Sequence, residues 1–325
     1  MTSAYDLIGQ HSSNTLYNPE YVSYTDKEWA RPYPSMQNLI VHTTIDDQDI
    51  VHATFDLAFM PLDSDEEKRA AEPALAPNKR YWMLETEADV EHWWHTEVSD
   101  IVMAAWARYP AIVQTCHTKP PSEIHISENV DTTYGVYFGN WRYPVAIGEI
   151  KRNLIKKKEW QTNSLRDSQQ KLARELRGYA DKYQCPQVFC WDGRTLLVLQ
   201  FRAHKLEHIR NADCPIDCWV IPVQGSMCTF WYALYRLMVQ GFRRCQGVVA
   251  AKPLRVGTLQ EHGREFFTGR PIWMVDGHSG TNHPDDYVRV VDGATGGLFW
   301  SHEMVEDSVW ETEAFWRTPD QVLNQ

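Results

Sequence analysis

Three side chains in the middle of the chain have the types and spacing of a site that handles phosphate chemistry with a divalent metal. Asp131 lies near the start of the apolar segment Val130–Phe138, and Glu149 and Lys151 lie two residues apart in the next such segment. Successive side chains of a β-strand alternate between its two faces, so Glu149 and Lys151 are expected on one face. If the two segments pair as neighbouring strands, Asp131 comes close to Glu149 at one end.

Two carboxylates beside an ammonium group have a defined chemical use. Carboxylate oxygens are the ligands that Mg²⁺ prefers, and Mn²⁺ takes the same donors. Such a metal polarises a phosphodiester oxygen and lowers the pKa of a bound water. The residues therefore predict Mg²⁺- or Mn²⁺-dependent hydrolysis of a phosphodiester. Asp131 and Glu149 are the expected metal ligands, the backbone carbonyl of Ile150 completes the shell, and Lys151 orients the water and offsets charge on the phosphate.

Two polar residues on apolar helix faces are candidates for supporting roles. Glu97 lies on the apolar face of a helix predicted over residues 87–109, and a buried carboxylate costs free energy unless it is paired or bound. We expect Glu97 to assist the metal or the water; the alternative is a structural pairing of this Glu. Gln169 lies on the inner stripe of a helix predicted over residues 164–183, where it would support the site.

The remaining patterns predict an alternation of strands and helices. A β-hairpin over residues 38–62 contains an acidic turn, and the charged, Pro- and Ala-rich residues 63–80 are typical of a loop or linker. Short apolar runs in the last eighty or so residues predict a β-rich extension. The other predicted strands and helices are the following: strands at residues 123–127, 130–138, 144–152, 187–191, 195–201 and 217–222, and a helix at residues 227–244.

The order helix, three strands, helix, strands over residues 87–222 resembles the PD-(D/E)XK nuclease superfamily. Asp131 takes the place of the motif Asp, Glu149-Ile150-Lys151 that of E-x-K, and Glu97 that of the helix Glu. Residues 172–180 and 188–194 look most like those of uncharacterised fungal members. The resemblance implies an α/β (α+β), restriction-endonuclease-like core with a mixed central sheet flanked by helices.

The patterns along the chain, together with the resemblance, predict an organisation of the chain and a class of partner. The core is expected at residues 81–245, after an N-terminal arm and β-hairpin region at 1–80 and before a β-rich extension at 246–325. Nucleic acid is the expected partner, with DNA favoured over RNA, and a homodimer is compatible with this reading. An E-x-K triplet also arises from a structural ion-pair cluster. A non-catalytic binding module of this fold and an enzyme acting on a small molecule therefore stay open as alternatives.

Composition narrows the class of protein. The 325 residues carry a formal net charge of −11, which excludes a strongly basic nucleic-acid coat. A local excess of Lys and Arg over residues 151–182 is either a phosphate-binding groove or a solvated helix face. The polar N-terminus shows no signal peptide, and no apolar run is long enough for a membrane span, so an intracellular protein, nuclear or cytoplasmic, is expected.

The seven cysteines indicate reduced thiols, most of them buried, because their spacings match no common zinc pattern. His204, His208, Cys214 and Cys218 could be drawn as a zinc site, since both pairs have a four-residue spacing. Pro215 interrupts the second pair, and we therefore disfavour zinc there.

Overall fold

A seven-stranded mixed sheet forms the centre of the molecule. The structure, a computed structural model, describes residues 2–108, 112–120 and 128–315. The strands of the central sheet, in chain order, are β1 (Leu39–Val41), β2 (Ile112–Thr118), β3 (Val130–Phe138), β4 (Trp141–Ile150), β5 (Gln187–Trp191), β6 (Thr195–Phe201) and β7 (Ile216–Pro222). Their order across the sheet is β1-β7-β6-β5-β4-β3-β2. Strands β4 and β5 pair in parallel, as do β7 and β1, and the other neighbours are antiparallel.

Helices cover both faces of this sheet. Their bounds are α1 (Ala4–Ile8), α2 (Glu66–Ala71), α3 (Glu87–Trp94), α4 (Asp100–Ala104), α5 (Lys157–Gln161), α6 (Asp167–Lys182) and α7 (Phe230–Val249), with short 3₁₀ turns at Glu28–Ala30 and Leu206–Arg210. A π-helical turn at His95–Ser99 joins α3 to α4, so the helix predicted over residues 87–109 is present as one run with an irregular middle. Thr86 and Asp89 form a capping box at its start.

The alternation of side chains along each strand divides the core into two layers. Val188 and Cys190 of β5 pack towards α6, whereas Phe189 and Trp191 pack towards α3 and α7. Both layers are fully buried here, which explains why β5 to β7 are continuous apolar runs rather than alternating ones. The hairpin of β5 and β6 turns at Asp192 and Gly193, as the sequence predicted.

Six small sheets surround this core in the described residues, three in the N-terminal part and three in the C-terminal part. The last part of the chain forms the β-rich extension that the sequence predicted, with Trp273 and Trp300 at its own small core. The peripheral strands are Thr2–Ser3, Thr15–Tyr17, Thr43–Ile45, Val51–Ala53, Pro73–Ala74, Tyr81–Met83, Arg255–Val256, Leu259–Gln260, Gly263–Arg264, Pro271–Val275, His278–Gly280, Val288–Val291, Leu298–His302 and Val305–Trp310. None of the helices in the described ranges combines the length and hydropathy needed to cross a bilayer.

Three local predictions need correction. The segment 63–80 is not a plain linker, because it contains α2, whose Arg69 is buried in ion pairs with Asp65 and Glu66. The hairpin around the acidic turn joins Thr43–Ile45 to Val51–Ala53, whereas β1 belongs to the central sheet beside β7. The strand predicted at residues 123–127 lies outside the described residues, and β2 was not predicted.

Candidate functional site

The pairing of β3 with β4 brings Asp131 to Glu149. Ile147 lies opposite Thr133 and Gly148 opposite Thr132, so the next step of this register places Glu149 opposite Asp131. The Asp131 carboxylate also joins β3 to β4 past their last paired residues, because its Oδ2 accepts a hydrogen bond of 2.6 Å from the Ile150 backbone N–H. The two carboxylates therefore meet at the end of β4, as their spacing in the sequence indicated.

Lys151 lies between two carboxylates rather than one. Its Nζ donates to Glu149 and lies 3.3 Å from Oε1 of Glu175, a residue of α6. Glu175 is fully buried, and its other oxygen accepts a hydrogen bond from the Thr25 hydroxyl. The cluster thus contains Asp131, Glu149 and Glu175 around a single ammonium group.

Buried hydrogen bonds hold the strand ends and the following loop in place. The Tyr183 hydroxyl, just past α6, accepts from the Val130 N–H at 2.9 Å and donates to the Thr118 carbonyl, so it ties β3 to β2 next to Asp131. Gln169 is fully buried and does not touch the cluster. It accepts from the Lys156 N–H and the Trp160 indole and donates to the Leu154 carbonyl, which braces the chain after Lys151.

The centre of the cluster is buried, and one of its carboxylate oxygens has no hydrogen-bond donor among the described residues. Glu149 and Lys151 are each 4% exposed, and Oε2 of Glu149 is buried without a hydrogen-bond partner among the described residues. Burial raises the pKa of Glu149 well above its ordinary value; Lys151 acts in the opposite direction, and Asp131 and Glu175 add to the rise. Burial lowers the pKa of Lys151, but the carboxylates raise it by more, so Lys151 keeps its proton.

Asp131 lies at the rim of the cluster. Its side chain is 21% exposed, and its Oδ1 is 3.6 Å from Nδ1 of His117. Burial raises the pKa of Asp131 to about 6, although the Ile150 N–H and Lys151 both act in the opposite direction. The same His117 ring lies 3.2 Å from Oε2 of Glu91 on α3, which links this helix to the rim.

Glu97 is not part of this cluster, contrary to the sequence prediction. Its carboxylate is fully buried and accepts hydrogen bonds from Ser12, Asn14 and the Trp82 indole. Among the described residues it contacts none of the three predicted site residues. The alternative interpretation of Glu97, a structurally paired carboxylate, describes this position. Helix α3 places Glu91 at the rim of the cluster instead.

A segment near the N-terminus covers the cluster; we call residues 18–29 the N-terminal strap. Ser23 runs beside the end of β4, where its N–H donates to the Arg152 carbonyl at 2.8 Å and its hydroxyl accepts from the Arg152 N–H at 2.9 Å. Thr25 reaches Glu175, and Trp29 packs on Tyr179 of α6 with ring centroids 4.9 Å apart. The strap therefore contacts two neighbours of Lys151, namely Arg152 and Glu175.

The basic run after β4 is only partly a surface feature. Arg177 is buried and donates to the carbonyls of Ile209 and Asn211, and Lys171 pairs with Asp26 of the strap at 3.0 Å. Four cations of the run stay exposed on the loop and short helix that follow the site: Lys156, Lys157, Lys158 and Arg166. The exposed surface on which these cations could bind phosphate is therefore smaller than the sequence indicated.

Two carboxylates of the neighbourhood were missed by the sequence reasoning. Glu175 lies on the apolar stripe of its helix beside Leu172 and Leu176, and the argument applied to Glu97 would have found it. Glu91 precedes Trp94 by nearly one helical turn, so it faces the same way as the stripe.

No protein-family description, curated protein or solved structure matches this chain significantly.

Proposed function

We propose that the chain is a metal-dependent phosphodiesterase acting on nucleic acid, with Asp131, Glu149 and Lys151 at its centre. One observation carries the proposal: a buried Glu149 oxygen with no donor in the described part of the chain lies beside an ammonium group, opposite Asp131. A buried unsatisfied carboxylate oxygen is costly in a structural ion-pair cluster. Such an oxygen is expected where a bound cation supplies its missing partner.

The donor set fits a hard divalent cation. Oε2 of Glu149 has no partner among the described residues, and Oδ1 of Asp131 lies 3.6 Å from Nδ1 of His117. In a strand, the N–H and C=O of one residue point to the same side. Since the Ile150 N–H points to Asp131, the Ile150 carbonyl is expected on that side too. Asp131, Glu149 and Ile150 would therefore hold Mg²⁺ or Mn²⁺ through oxygen alone.

The side chains of this site have separable tasks. When bound, the metal supplies Lewis-acid polarisation of the phosphate and a water of lowered pKa. Lys151, held as an ammonium by Glu149 and Glu175, donates hydrogen bonds and places positive charge where the phosphate oxygens gain negative charge. A protonated Lys151 orients the attacking water but does not accept its proton. Glu175 acts through Lys151 and is a positioning residue.

The topology also supports the restriction-endonuclease-like reading. β2, β3 and β4 form an antiparallel meander, the chain crosses over through α6, and β5 then pairs in parallel with β4. Helices on both faces of this mixed sheet agree with what the resemblance implies. We take nucleic acid as the substrate, with DNA favoured by that resemblance, and the exposed Lys156, Lys157 and Lys158 as its nearest phosphate contacts.

A non-catalytic binding module is the second candidate, because Glu149 and Lys151 are each only 4% exposed. The substrate test is incubation of the full chain with single- and double-stranded DNA and RNA in Mg²⁺ or Mn²⁺. Cleavage of any of these supports the proposal. A protein that binds the metal and cuts none of them favours the binding module or an enzyme acting on a small molecule.

Mn²⁺ is expected to raise the unfolding temperature by a few degrees, because a ligand that binds only the folded state at a hundred times its Kd adds about 2.7 kcal/mol. The shift is measured by thermal unfolding with Mn²⁺ and again after chelation. Glu149→Gln should remove most of it, since this change neutralises the oxygen donor. An equal shift in the variant and the wild type would place the metal elsewhere.

Loosening the N-terminal strap is expected to speed cleavage about tenfold. Thr25→Val deletes the hydroxyl that donates to Glu175, and a hydrogen bond to a charged group contributes about 1.5–3 kcal/mol. Cleavage rate and hydrogen exchange of residues 18–29 are measured together. Tyr21→Phe is the matched control, because Tyr21 is on the strap but 62% exposed. Faster exchange without faster cleavage would show that the strap does not limit access.

A further inference from the structure

A second cluster of metal-ligand types lies on the other side of the β3 end, between α3 and the edge strand β2. Glu91, His95 and Cys116 each direct one ligand atom inward, and these three atoms lie within 4.8 Å of one another. Nε2 of His95 is 3.4 Å from Sγ of Cys116 and 3.4 Å from Oε1 of Glu91. The proposed function uses none of these three side chains.

The separations match those between ligands of one tetrahedral ion. With Zn–S of about 2.3 Å and Zn–N and Zn–O of about 2.0–2.2 Å, two tetrahedral ligands lie roughly 3.4–3.6 Å apart. Both distances from His95 Nε2 are close to this value. A thiol, an imidazole and a carboxylate are also a donor set that suits Zn²⁺ better than Mg²⁺.

Neighbouring groups orient each ligand. The Gln114 amide hydrogen-bonds Nδ1 of His95. Because rotation exchanges the amide O and N, it can accept from an Nδ1–H and leave the Nε2 lone pair for a metal. His117, whose φ of 49° is unusual for a non-glycine residue, brings its ring to Oε2 of Glu91 at 3.2 Å. That contact occupies one oxygen of Glu91 and leaves Oε1 facing His95.

The Cys116 thiol is accessible. It is exposed, whereas the other six cysteines are buried. Burial of the sulfur and the charge of Glu91 raise the pKa of Cys116, which opposes a role as a free thiolate nucleophile. Burial lowers the pKa of His95, which favours the neutral imidazole that a metal needs.

We propose that Glu91, His95 and Cys116 bind Zn²⁺, with the fourth position open to water. Binding replaces the thiol proton, which leaves to solvent, by the metal ion. The ion joins α3 to β2 and so fixes the edge strand that carries His117 against Asp131. This site is separate in ligands and in metal preference from the oxygen site of the proposed function.

Co²⁺ titration of the metal-stripped full chain tests the site, because a thiolate bound to Co²⁺ gives a near-ultraviolet charge-transfer absorption. The wild type is expected to show this band and to lose it when Zn²⁺ displaces Co²⁺. Cys116→Ser should abolish the band. Glu91→Gln should keep a weakened band, with affinity lower by at least about tenfold, since even residues that only support a ligand contribute about 10–100-fold.

Two controls separate this proposal from the others. Glu149→Gln should leave the band unchanged, so failure of the phosphodiesterase proposal does not affect this one. Cys214→Ser should also leave it unchanged, because Cys214 belongs to the disfavoured His and Cys set. Circular dichroism establishes that each variant is folded. A folded wild type without the band, or a band that persists in Cys116→Ser, would overturn the zinc site.

Discussion

Glu149→Gln and Lys151→Met are each expected to lower metal-dependent cleavage by at least about 10²–10³-fold, the loss that follows removal of one group that stabilises transition-state charge. Glu149→Gln removes a negatively charged oxygen from the metal, and Lys151→Met removes the ammonium group beside the phosphate. Both replacements are close in shape to the native side chain. Initial rates on the preferred substrate in Mg²⁺ or Mn²⁺ measure the effect, and circular dichroism reports the fold.

The matched control removes a buried, ion-paired carboxylate elsewhere. Glu311 is buried in the C-terminal extension between Arg264 and Arg289, so Glu311→Gln disturbs a comparable ion pair without touching the site. We expect its cleavage rate to stay within a few-fold of the wild type. If folded Glu149→Gln and Lys151→Met cleave as well as Glu311→Gln, the assignment of the site is wrong.

Glu97→Gln distinguishes the sequence interpretation from the structural one. The sequence placed Glu97 at the metal, whereas the structure gives its carboxylate three donors from Ser12, Asn14 and Trp82. The substitution is therefore expected to lower stability, by about 1–3 kcal/mol for the donors left unsatisfied, and to leave cleavage of the folded protein nearly intact. Loss of cleavage without loss of stability would restore Glu97 to the site.

Local patterns predicted the central strands and helices because their periodicity reflects burial. Glu149 in β4 and Lys151 just past its end meet on one side, and Ile150 lies in the opposite core layer, as alternation required. The helix α6 and the hairpin of β5 and β6 have the expected stripe and turn. The pairing of β3 with β4 was also accessible from the short turn between them, but the register shift at Val145 that places Glu149 opposite Asp131 was not.

Contacts between distant parts of the chain were not accessible in this way. Thr25 reaches Glu175 across 150 residues, and no local pattern in residues 18–29 indicates that they cover a site. β1 pairs with β7 although its neighbours form a separate hairpin, and periodicity does not specify which strand pairs with which. The interpretation of Glu97 was wrong because a buried carboxylate has the same sequence signature whether a metal or a set of donors satisfies it.

The position of β4 depends on a close backbone contact with α7. A Cβ at Gly241 would lie 1.9 Å from the Val145 carbonyl oxygen and 2.8 Å from its carbon. Val145 is at the irregularity of β4 between Pro144 and Ala146, and Arg244 of α7 donates to the Pro144 carbonyl. The helix therefore lies directly on the strand that carries Glu149 and Lys151.

Gly241→Ala is consequently expected to destabilise the protein by about 3 kcal/mol, since overpacking against backbone is not relieved by a side-chain rotation. Intrinsic helix propensity alone would give the opposite sign, because Ala is favoured over Gly by about 1 kcal/mol within a helix. Equilibrium denaturation measures the change, and Gly263→Ala, where nothing lies within 4 Å of the added Cβ, is the control and should differ little from the wild type. Any folded Gly241→Ala protein should also cleave more slowly, because a displacement of about 1 Å at the site costs on the order of 10²-fold in rate. A variant as stable as the control would mean that α7 does not press on β4 at Val145, and the site would then owe its geometry to the β3 register and Tyr183 instead.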